Sequence, residues 1–507
     1  MTDSFTFMIN DDDVPAIRKA VKHIADVGYC EARVLERLEL SDISGLIWRA
    51  LPIYREEQLS VRDELASAID LFLLQGAIPP TEFDRLFNKT DQDALIHTGV
   101  LFIDDKGFAR ACVSLFPVGN LLVFSDHAWP KLPHPGCAEV PYDQVMSVGA
   151  DSRWLERITP RRRVSTALDL CTGSGIHALL AARHSQRVVA VDISPRAARC
   201  TRFNVQVSGA ANVEIAVGDI FEPVRSERFD LITANPPFVP SPLNSLGFRD
   251  GGRSGEDVQQ RIIAGLPHHL AQGGIAQIVT ELGERDENLI SDRLRRWLGD
   301  APMDILILRL REHSAVNYAI GHAQGDYDFG EFLDSVHDWA GNLRAQGYSR
   351  IVSVLLVFQW SDPESGPPWT RSDEAPPPLR YAGIEVEKRF NSERITRRAD
   401  FHETLERSQL FLAGQIGFIE SRVLGSVLQA NAQAQLLGTA LPIIQWLDPS
   451  EKIILELIET PKKYLELLAL AGELNIDEKT IFEAVSLLIR RGLVLLIADQ
   501  DYNQLRV

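Results

Sequence analysis

The hydrophobic pattern of the central region changes from the period of a strand to that of a helix and back again. Residues 164–170 form a short apolar run rich in β-branched side chains, which is typical of a buried parallel strand. Helical spacing follows, with Ile176, Leu179 and Leu180 on one face, and a second apolar run then ends at Asp192. The pattern predicts a strand–helix–strand unit of a parallel sheet.

The same alternation continues towards the carboxyl terminus. Pro195 and Gly209 delimit a predicted helix over 194–208. Further apolar runs predict strands at 213–217, 230–234, 274–281, 305–310 and 347–360, with a partly helical insertion over 311–347. These elements predict an α/β fold built on a doubly wound, Rossmann-like sheet.

Both flanks of this core predict smaller α+β domains. Helical spacing before residue 75 and strands between 100 and 124 favour a winged-helix-like module, and a helix over 477–490 before the strand 493–497 favours a second one. The predicted domains are 1–126 (helical and winged-helix-like), 127–163 (connector), 164–360 (core), 361–384 (Pro-rich linker) and 385–507 (C-terminal, winged-helix-like).

Two stretches in the core carry candidate chemistry. Cys171-Thr172-Gly173-Ser174-Gly175 follows the first strand, where glycines allow the backbone to approach a ligand closely. With Asp192 at the end of the next strand, this loop also fits a dinucleotide fingerprint, so an NAD-dependent oxidoreductase is an open alternative. The fourth strand ends at Asn235-Pro236-Pro237-Phe238, a turn that a hydride-transfer enzyme would not need.

Together, the loop and the Asn-Pro-Pro-Phe turn resemble class I S-adenosylmethionine-dependent methyltransferases of the Asn-Pro-Pro-aromatic branch, over about residues 164 to 283. That branch methylates planar nitrogens and includes release-factor glutamine methyltransferases and adenine and guanine methyltransferases. The resemblance implies a seven-stranded core, S-adenosylmethionine as the cofactor and S-adenosylhomocysteine as its product. The residues that it implies for cofactor binding are Asp169, Thr172, Gly173 and Gly175 around the methionine portion, Asp192 and Ile193 at the ribose, Asp219 and Ile220 at the adenine, and Asn235.

The Asn-Pro-Pro-Phe turn suits a methyl acceptor whose nitrogen lone pair is delocalised. The Asn235 side-chain oxygen and the Pro236 carbonyl can both accept hydrogen bonds from one NH2 group, and Phe238 offers a flat apolar wall. Because the attacking nitrogen gains positive charge, two fixed acceptors would stabilise the transition state more than the ground state. We therefore predict Asn235, Pro236 and Phe238 as catalytic.

Composition narrows the possible partners. The 507-residue chain carries a net charge of −18, which disfavours nucleic acid, although an arginine cluster at Arg153, Arg157 and 161–163 is a local exception that we interpret as a solvated helix end. No apolar run is long enough to span a bilayer. Five scattered cysteines without a CxxC pair predict a cytoplasmic protein and no metal site.

The favoured function is methylation of a glutamine-type amide in a protein or peptide. A nucleobase amino group in RNA or DNA is the second hypothesis, and a small-molecule or natural-product acceptor is the third. An oxidoreductase and a binding module that has lost catalysis are the remaining alternatives. Two questions stay open: whether the loop 239–255 is a substrate lid or a plain loop, and which oligomeric state the chain adopts.

Overall fold

The computed structural model describes residues 6–47, 50–127, 142–243, 245–285, 289–323, 328–378, 380–421, 431–439 and 444–498. Residues 128–141 of the predicted connector lie outside this range. The chain forms two compact units, of which the first comprises residues 1–156, 161–299 and 313–351, and the second comprises 157–160, 300–312 and 352–507. In the described residues, no helix is both long enough and apolar enough to cross a membrane.

The first unit combines helices and parallel strands. Its helices are α1 (Val14–Asp26), α2 (Glu31–Leu38), α3 (Leu51–Glu57), α4 (Glu64–Phe72), α5 (Pro80–Leu86), α6 (Lys89–His97), α7 (Ala150–Ile158), α8 (Ile176–Ala181), α9 (Pro195–Ser208), α10 (Asp257–His269), α11 (Ile290–Leu298), α12 (Ala315–His322) and α13 (Phe329–Ala345). Its strands are β1 (Ala77–Ile78), β2 (Leu101–Ile103), β3 (Ala109–Ala111), β4 (Ser114–Val118), β5 (Leu121–Ser125), β6 (Val164–Leu170), β7 (Ser185–Asp192), β8 (Val213–Val217), β9 (Phe229–Ala234) and β10 (Leu270–Glu284).

The central strands of the first unit run in the order β10-β9-β6-β7-β8, and every neighbouring pair is parallel. The chain therefore moves outward from β6 in one direction through β7 and β8, and then crosses back to β9. This reversal is the switch point at which doubly wound sheets bind ligands, outside the carboxyl ends of the strands. The predicted strands and their parallel pairing are confirmed in this unit.

The N-terminal segment packs directly on the sheet helices. One apolar core joins residues of α1, α4 and β5 to Ile176 on α8 and Phe203 on α9. Asn204 of α9 hydrogen bonds both the amide and the carbonyl of Phe124 on β5, at 2.9 and 2.8 Å. A buried ion pair, Arg196–Asp126, lies beside these contacts. The N-terminal segment therefore packs on α8 and α9 of the central sheet.

The second unit has its own strands and helices. They are β11 (Met303–Ser314), β12 (Arg350–Trp360), β13 (Thr370–Glu374), α14 (Gly383–Arg397), α15 (Phe401–Glu406), β14 (Ser408–Leu412), β15 (Ile416–Ser421), β16 (Asn431–Leu436), β17 (Ile444–Leu447), α16 (Pro449–Leu457), β18 (Lys462–Lys463), α17 (Tyr464–Glu473), α18 (Glu478–Arg490) and β19 (Val494–Ala498). The last part forms a sheet in the order β18-β14-β19 around the buried faces of α16, α17 and α18.

The segment 361–384, predicted as a Pro-rich linker, contains more regular structure than its composition indicates. Residues 370–374 form β13, which pairs in parallel with β11 from Ile305 to Arg309, and α14 begins at Gly383. The strand has the polar sequence TRSDE, so no hydrophobic period marks it. Its partner strand supplies the hydrogen bonds that hold it extended.

Candidate functional site

The two glycines of the loop after β6, Gly173 and Gly175, have different surroundings. Both have positive φ, at 56° for Gly173 and 81° for Gly175, a conformation that a side chain disfavours. A Cβ on Gly175 would lie 2.8 Å from Cγ2 of Thr201, so α9 packs against it. A Cβ on Gly173 would meet no atom within 4 Å. Gly173 therefore leaves open space beside the carboxyl end of β6, as a closely approaching ligand requires.

The buried Asp169 carboxylate holds this loop in place through hydrogen bonds. The carboxylate is 1% exposed and accepts hydrogen bonds from the hydroxyl groups of Thr172 and Thr233, at 2.6 and 2.9 Å. It also accepts from the backbone N–H of Ala178 at 3.2 Å. Burial raises the pKa of Asp169 to about 7, although these three donors oppose that shift. Asp169 thus ties β6, the glycine loop, α8 and β9 together, and its contact with a cofactor stays a prediction.

Asp192 closes the other side of the loop. One of its carboxylate oxygens accepts from the N–H of Gly173 and the other from the N–H of Ser194, both at 2.9 Å. The next side chain, Ile193, is 69% exposed. A half-buried carboxylate and an exposed apolar side chain therefore stand side by side at the end of β7, which is a fitting arrangement for a ribose and the ring next to it.

The predicted adenine side lies beyond β8. Ile220 has a positive φ of 52° and a buried side chain, while the Asp219 carboxylate pairs with the Arg261 guanidinium at 2.5 Å. Sequence analysis did not identify Arg261, which reaches Asp219 from α10. A cavity of about 270 Å³ adjoins this pair; its lining consists of Asp219, Ile220, Phe221, Glu222, Arg225, Arg261 and His269.

Two residues that sequence analysis missed hold the catalytic candidate Asn235. Its side-chain nitrogen donates to the Asp151 carboxylate at 3.0 Å and to the Ser152 hydroxyl at 3.1 Å. Both partners lie in the first turn of α7. Because a carboxamide carries its oxygen opposite its nitrogen, this anchoring leaves Oδ1 of Asn235 as the outward acceptor. Burial raises the pKa of Asp151 above its ordinary value, and the hydrogen bond from Asn235 opposes the shift.

Two arginines of the cluster around α7, Arg153 and Arg157, are buried, which corrects our interpretation of the cluster as a solvated helix end, whereas residues 161–163 are exposed as that interpretation expected. Arg153 is 4% exposed and Arg157 is 5% exposed. Carboxylates explain the burial of Arg153, because its guanidinium pairs with Glu31 of α2 and with Glu156 of its own helix. The buried His177 imidazole lies nearby; burial lowers its pKa to about 3, and the charge of Arg153 adds to that effect.

The loop after the Asn-Pro-Pro-Phe turn is held tightly against it. A Cβ on Gly251 would lie 2.7 Å from the Pro237 carbonyl oxygen, and a Cβ on Gly255 would lie 2.5 Å from that of Phe238. Asp250 accepts hydrogen bonds from the backbone at residues 245 and 246, which holds the loop in a compact turn. The described residues of this loop, 239–243 and 245–255, therefore pack as a wall beside the turn.

Helices α12 and α13 support the other side of this wall. Phe238 packs against a buried cluster that includes Val239, Tyr318 and Trp339. The Tyr318 hydroxyl donates to the Glu281 carboxylate on β10 at 2.6 Å. Phe238 is thus held in place by the insertion predicted over 311–347, and its contact with a methyl acceptor stays a prediction.

A doubly wound parallel sheet with a glycine loop after its first strand and an Asn-Pro-Pro-Phe turn after its fourth defines a class I methyltransferase fold. The sequence comparisons agree: residues 148–298 match the family model of the methyltransferase small domain. Residues 148–298 are therefore a methyltransferase domain, and the resemblance to class I methyltransferases stated from sequence is confirmed.

Known proteins similar to this chain include two glutamine methyltransferases. The ribosomal protein uL3 glutamine methyltransferase of Bradyrhizobium diazoefficiens is 40% identical over 138 residues, which cover 24% of this chain and 42% of the relative. The release factor glutamine methyltransferase of Geobacter sulfurreducens is 33% identical over 136 residues, which cover 24% of this chain and 47% of the relative. The chain spans about half the length of the curated relatives that it matches.

A solved structure, ribosomal protein L11 methylase from Lactobacillus delbrueckii subsp. bulgaricus, aligns with 41% of this chain and 75% of its own chain. The alignment has 18% identity and a TM-score of 0.25.

Proposed function

We propose that this chain transfers a methyl group from S-adenosylmethionine to the side-chain amide nitrogen of a glutamine in a protein. The observation that carries the proposal is the anchored carboxamide of Asn235, whose nitrogen is bound by Asp151 and Ser152 and whose oxygen is thereby left to accept a hydrogen bond from the substrate amide. The names of the relatives, which act on ribosomal protein uL3 and on release factors, support a protein amide as the acceptor.

The residues at the strand ends fit the proposed cofactor. Gly173 leaves open space where a side chain would stand, and Asp192 and Ile193 offer a carboxylate and an apolar surface beside it. We propose that Asp192 accepts hydrogen bonds from the ribose hydroxyls and that Asp219, with the backbone of Ile220, faces the adenine amino group. When bound, the sulfonium of this cofactor supplies an electrophilic methyl group for an in-line displacement.

The contribution of the chain to this displacement is mainly geometric. The oxygen of Asn235 and the carbonyl of Pro236 accept from the two N–H bonds of the acceptor amide, and Phe238 packs against its plane. Holding the acceptor in line with the methyl group can contribute about 7–11 kcal/mol to lowering the barrier. As the nitrogen gains positive charge, the two acceptors stabilise it, and the product then releases a proton to water.

The experiment that tests this function measures methyl incorporation into glutamine-containing peptides by mass spectrometry. We expect wild-type protein to methylate the amide, and Asn235→Ala to lose turnover while it still binds S-adenosylhomocysteine in calorimetric titration. Replacing glutamine by glutamate in the peptide is the matched control. Methylation of RNA but not of any peptide would refute the amide proposal and favour the nucleobase hypothesis.

We further propose that both flanking segments are winged-helix-like. In the first, α4, β1, α5, α6, β2 and β3 follow in that order and the strands pair as β1-β3-β2, while in the second α16, β18, α17, α18 and β19 follow in an equivalent order. Helix α18 opens with the exposed residues Asp477 and Glu478, whereas Asp91 of α6 is buried. Because an exposed acidic helix start would repel phosphate, a protein-binding role is supported over DNA binding for the second segment, and the packing of the first segment on α8 and α9 supports a packing role there.

A further inference from the structure

Helices α12 and α13 lie directly behind the Asn-Pro-Pro-Phe turn and the loop that follows it. These helices are built into the acceptor wall, since Tyr318 and Trp339 share a buried cluster with Phe238. The Asn342 side chain also donates to the backbone carbonyls of Pro240 and Arg253, at 3.1 and 3.0 Å. These two helices are therefore packed against the turn that carries Asn235, which makes their exposed side chains candidates for contact with a bound polypeptide.

The outer surface of this helix pair exposes large apolar side chains. Val316 and Ile320 lie one turn apart on α12, with 57% and 47% exposure, and Phe329 and Leu333 lie one turn apart on α13, with 74% and 38% exposure. We call these four residues the hairpin face. Apolar clusters of this kind on a protein surface mark sites of interaction, and the one-turn spacing places each pair on a single side of its helix.

The charge next to the hairpin face is negative. Helix α12 contains no Asp, Glu, Lys or Arg residue, and α13 carries Glu331, Asp334 and Asp338 against a single basic residue, Arg344. The three acidic side chains are exposed. A partner that covers the apolar residues would thus meet carboxylates around them, which attract lysine and arginine and repel phosphate.

We propose that the hairpin face binds the substrate protein through a basic segment with apolar side chains, adjacent to the glutamine that is methylated. This inference rests on the proposed function and narrows its substrate to basic polypeptides. The apolar residues would supply affinity, because their burial removes surface from water, and the carboxylates would supply selectivity for positively charged neighbours of the glutamine. The hairpin face would act on binding, and the chemistry at Asn235 would be unchanged.

The test compares three fluorescent peptides that share a central glutamine and apolar neighbours but have basic, neutral or acidic flanks. Their Kd values for the full-length protein loaded with S-adenosylhomocysteine are measured by fluorescence anisotropy, and methyl incorporation is measured separately. We expect the basic peptide to bind about tenfold more tightly than the acidic one, with the difference shrinking at high salt. Equal Kd values for the three peptides would overturn the proposal.

Substitutions on and away from the hairpin face test whether the peptide binds there. Phe329→Ser should raise the KM or Kd for the basic peptide about five- to tenfold and leave kcat unchanged, whereas Leu465→Ser, a control at an exposed apolar residue of α17 (59% exposed), should change neither. The pair Asp334→Lys and Asp338→Lys should reverse the preference between basic and acidic peptides. An effect of Phe329→Ser no larger than that of Leu465→Ser contradicts the proposed surface.

The two readouts also separate this inference from the proposed function. Tight binding of the basic peptide without methylation would refute the amide activity and leave the hairpin face in place. Methylation of all three peptides with the same KM would support the activity and refute the hairpin face. Preferential binding of RNA that Phe329→Ser weakens would assign the surface to nucleic acid and refute the polypeptide as its occupant.

Discussion

Removing the Asp151 carboxylate should slow catalysis without weakening cofactor binding. Asp151 accepts a hydrogen bond from the Asn235 side-chain nitrogen at 3.0 Å. A hydrogen bond to a charged acceptor contributes about 1.5–3 kcal/mol, and about 1.4 kcal/mol corresponds to a factor of ten. If this bond fixes the carboxamide orientation in the transition state, Asp151→Ala should lower kcat about 10- to 100-fold. Without the bond, the Asn235 carboxamide can rotate and point its own N–H groups at the NH2 group of the substrate amide, which is also a hydrogen-bond donor.

The assay is steady-state peptide methylation, with calorimetric titration of S-adenosylhomocysteine in parallel. Asp151→Asn retains an acceptor oxygen and should recover part of kcat, and Asn235→Ala sets the level of complete loss. Because burial raises the pKa of Asp151, the acidic limb of the kcat profile should fall above pH 3.8 in the wild type and be missing in Asp151→Asn. A kcat for Asp151→Ala close to that of the wild type would refute the positioning role.

Three further changes test the rest of the structure. Gly173→Ala should weaken S-adenosylhomocysteine binding, as measured by calorimetry. Gly119 has a similar φ of 58° and equally open space around it, so Gly119→Ala should lower stability without changing this affinity. Equal affinities in the two variants would show that no ligand approaches Gly173. Arg196→Met leaves the Asp126 carboxylate buried without its cation and should lower the free energy of unfolding by about 3–5 kcal/mol in urea titrations; a loss below about 1 kcal/mol would contradict this. Burial raises the pKa of Asp169 to about 7 in the folded state, so the folded state binds a proton more tightly than the unfolded state between about pH 4 and 7. The free energy of unfolding should therefore fall as pH rises across that range. This pH-dependent component should be absent from Asp169→Asn.

The backbone of the site follows from local sequence patterns. The apolar runs of β6, β7, β8 and β9 and the capping of α9 by Ser194 are each set by residues near in sequence. Parallel strands must then bring the glycine loop and the Asn-Pro-Pro-Phe turn to one edge of the sheet. For this reason sequence alone could predict both motifs and their juxtaposition.

Contacts between distant residues could not be predicted in the same way. Asp151 and Asn235 are separated by 84 positions, and no periodicity in α7 shows that its first turn faces the end of β9. A possible signal was the concentration of polar residues at the start of an otherwise amphipathic helix. Arg153 was misinterpreted for a similar reason, because its partner Glu31 lies 122 residues away.

Helix α7 links the N-terminal segment to the acceptor side of the site. Asp151 and Ser152 hold Asn235, and the next residue, Arg153, pairs with Glu31 of α2. Glu31 is itself fixed, since its other oxygen accepts from the N–H of Gly119 at 2.5 Å. The N-terminal segment thus fixes the turn of α7 that holds the carboxamide of Asn235, the candidate catalytic group. The match to the methyltransferase domain begins only at residue 148, so that domain contains the residues of the site but lacks one of the contacts that hold them in place.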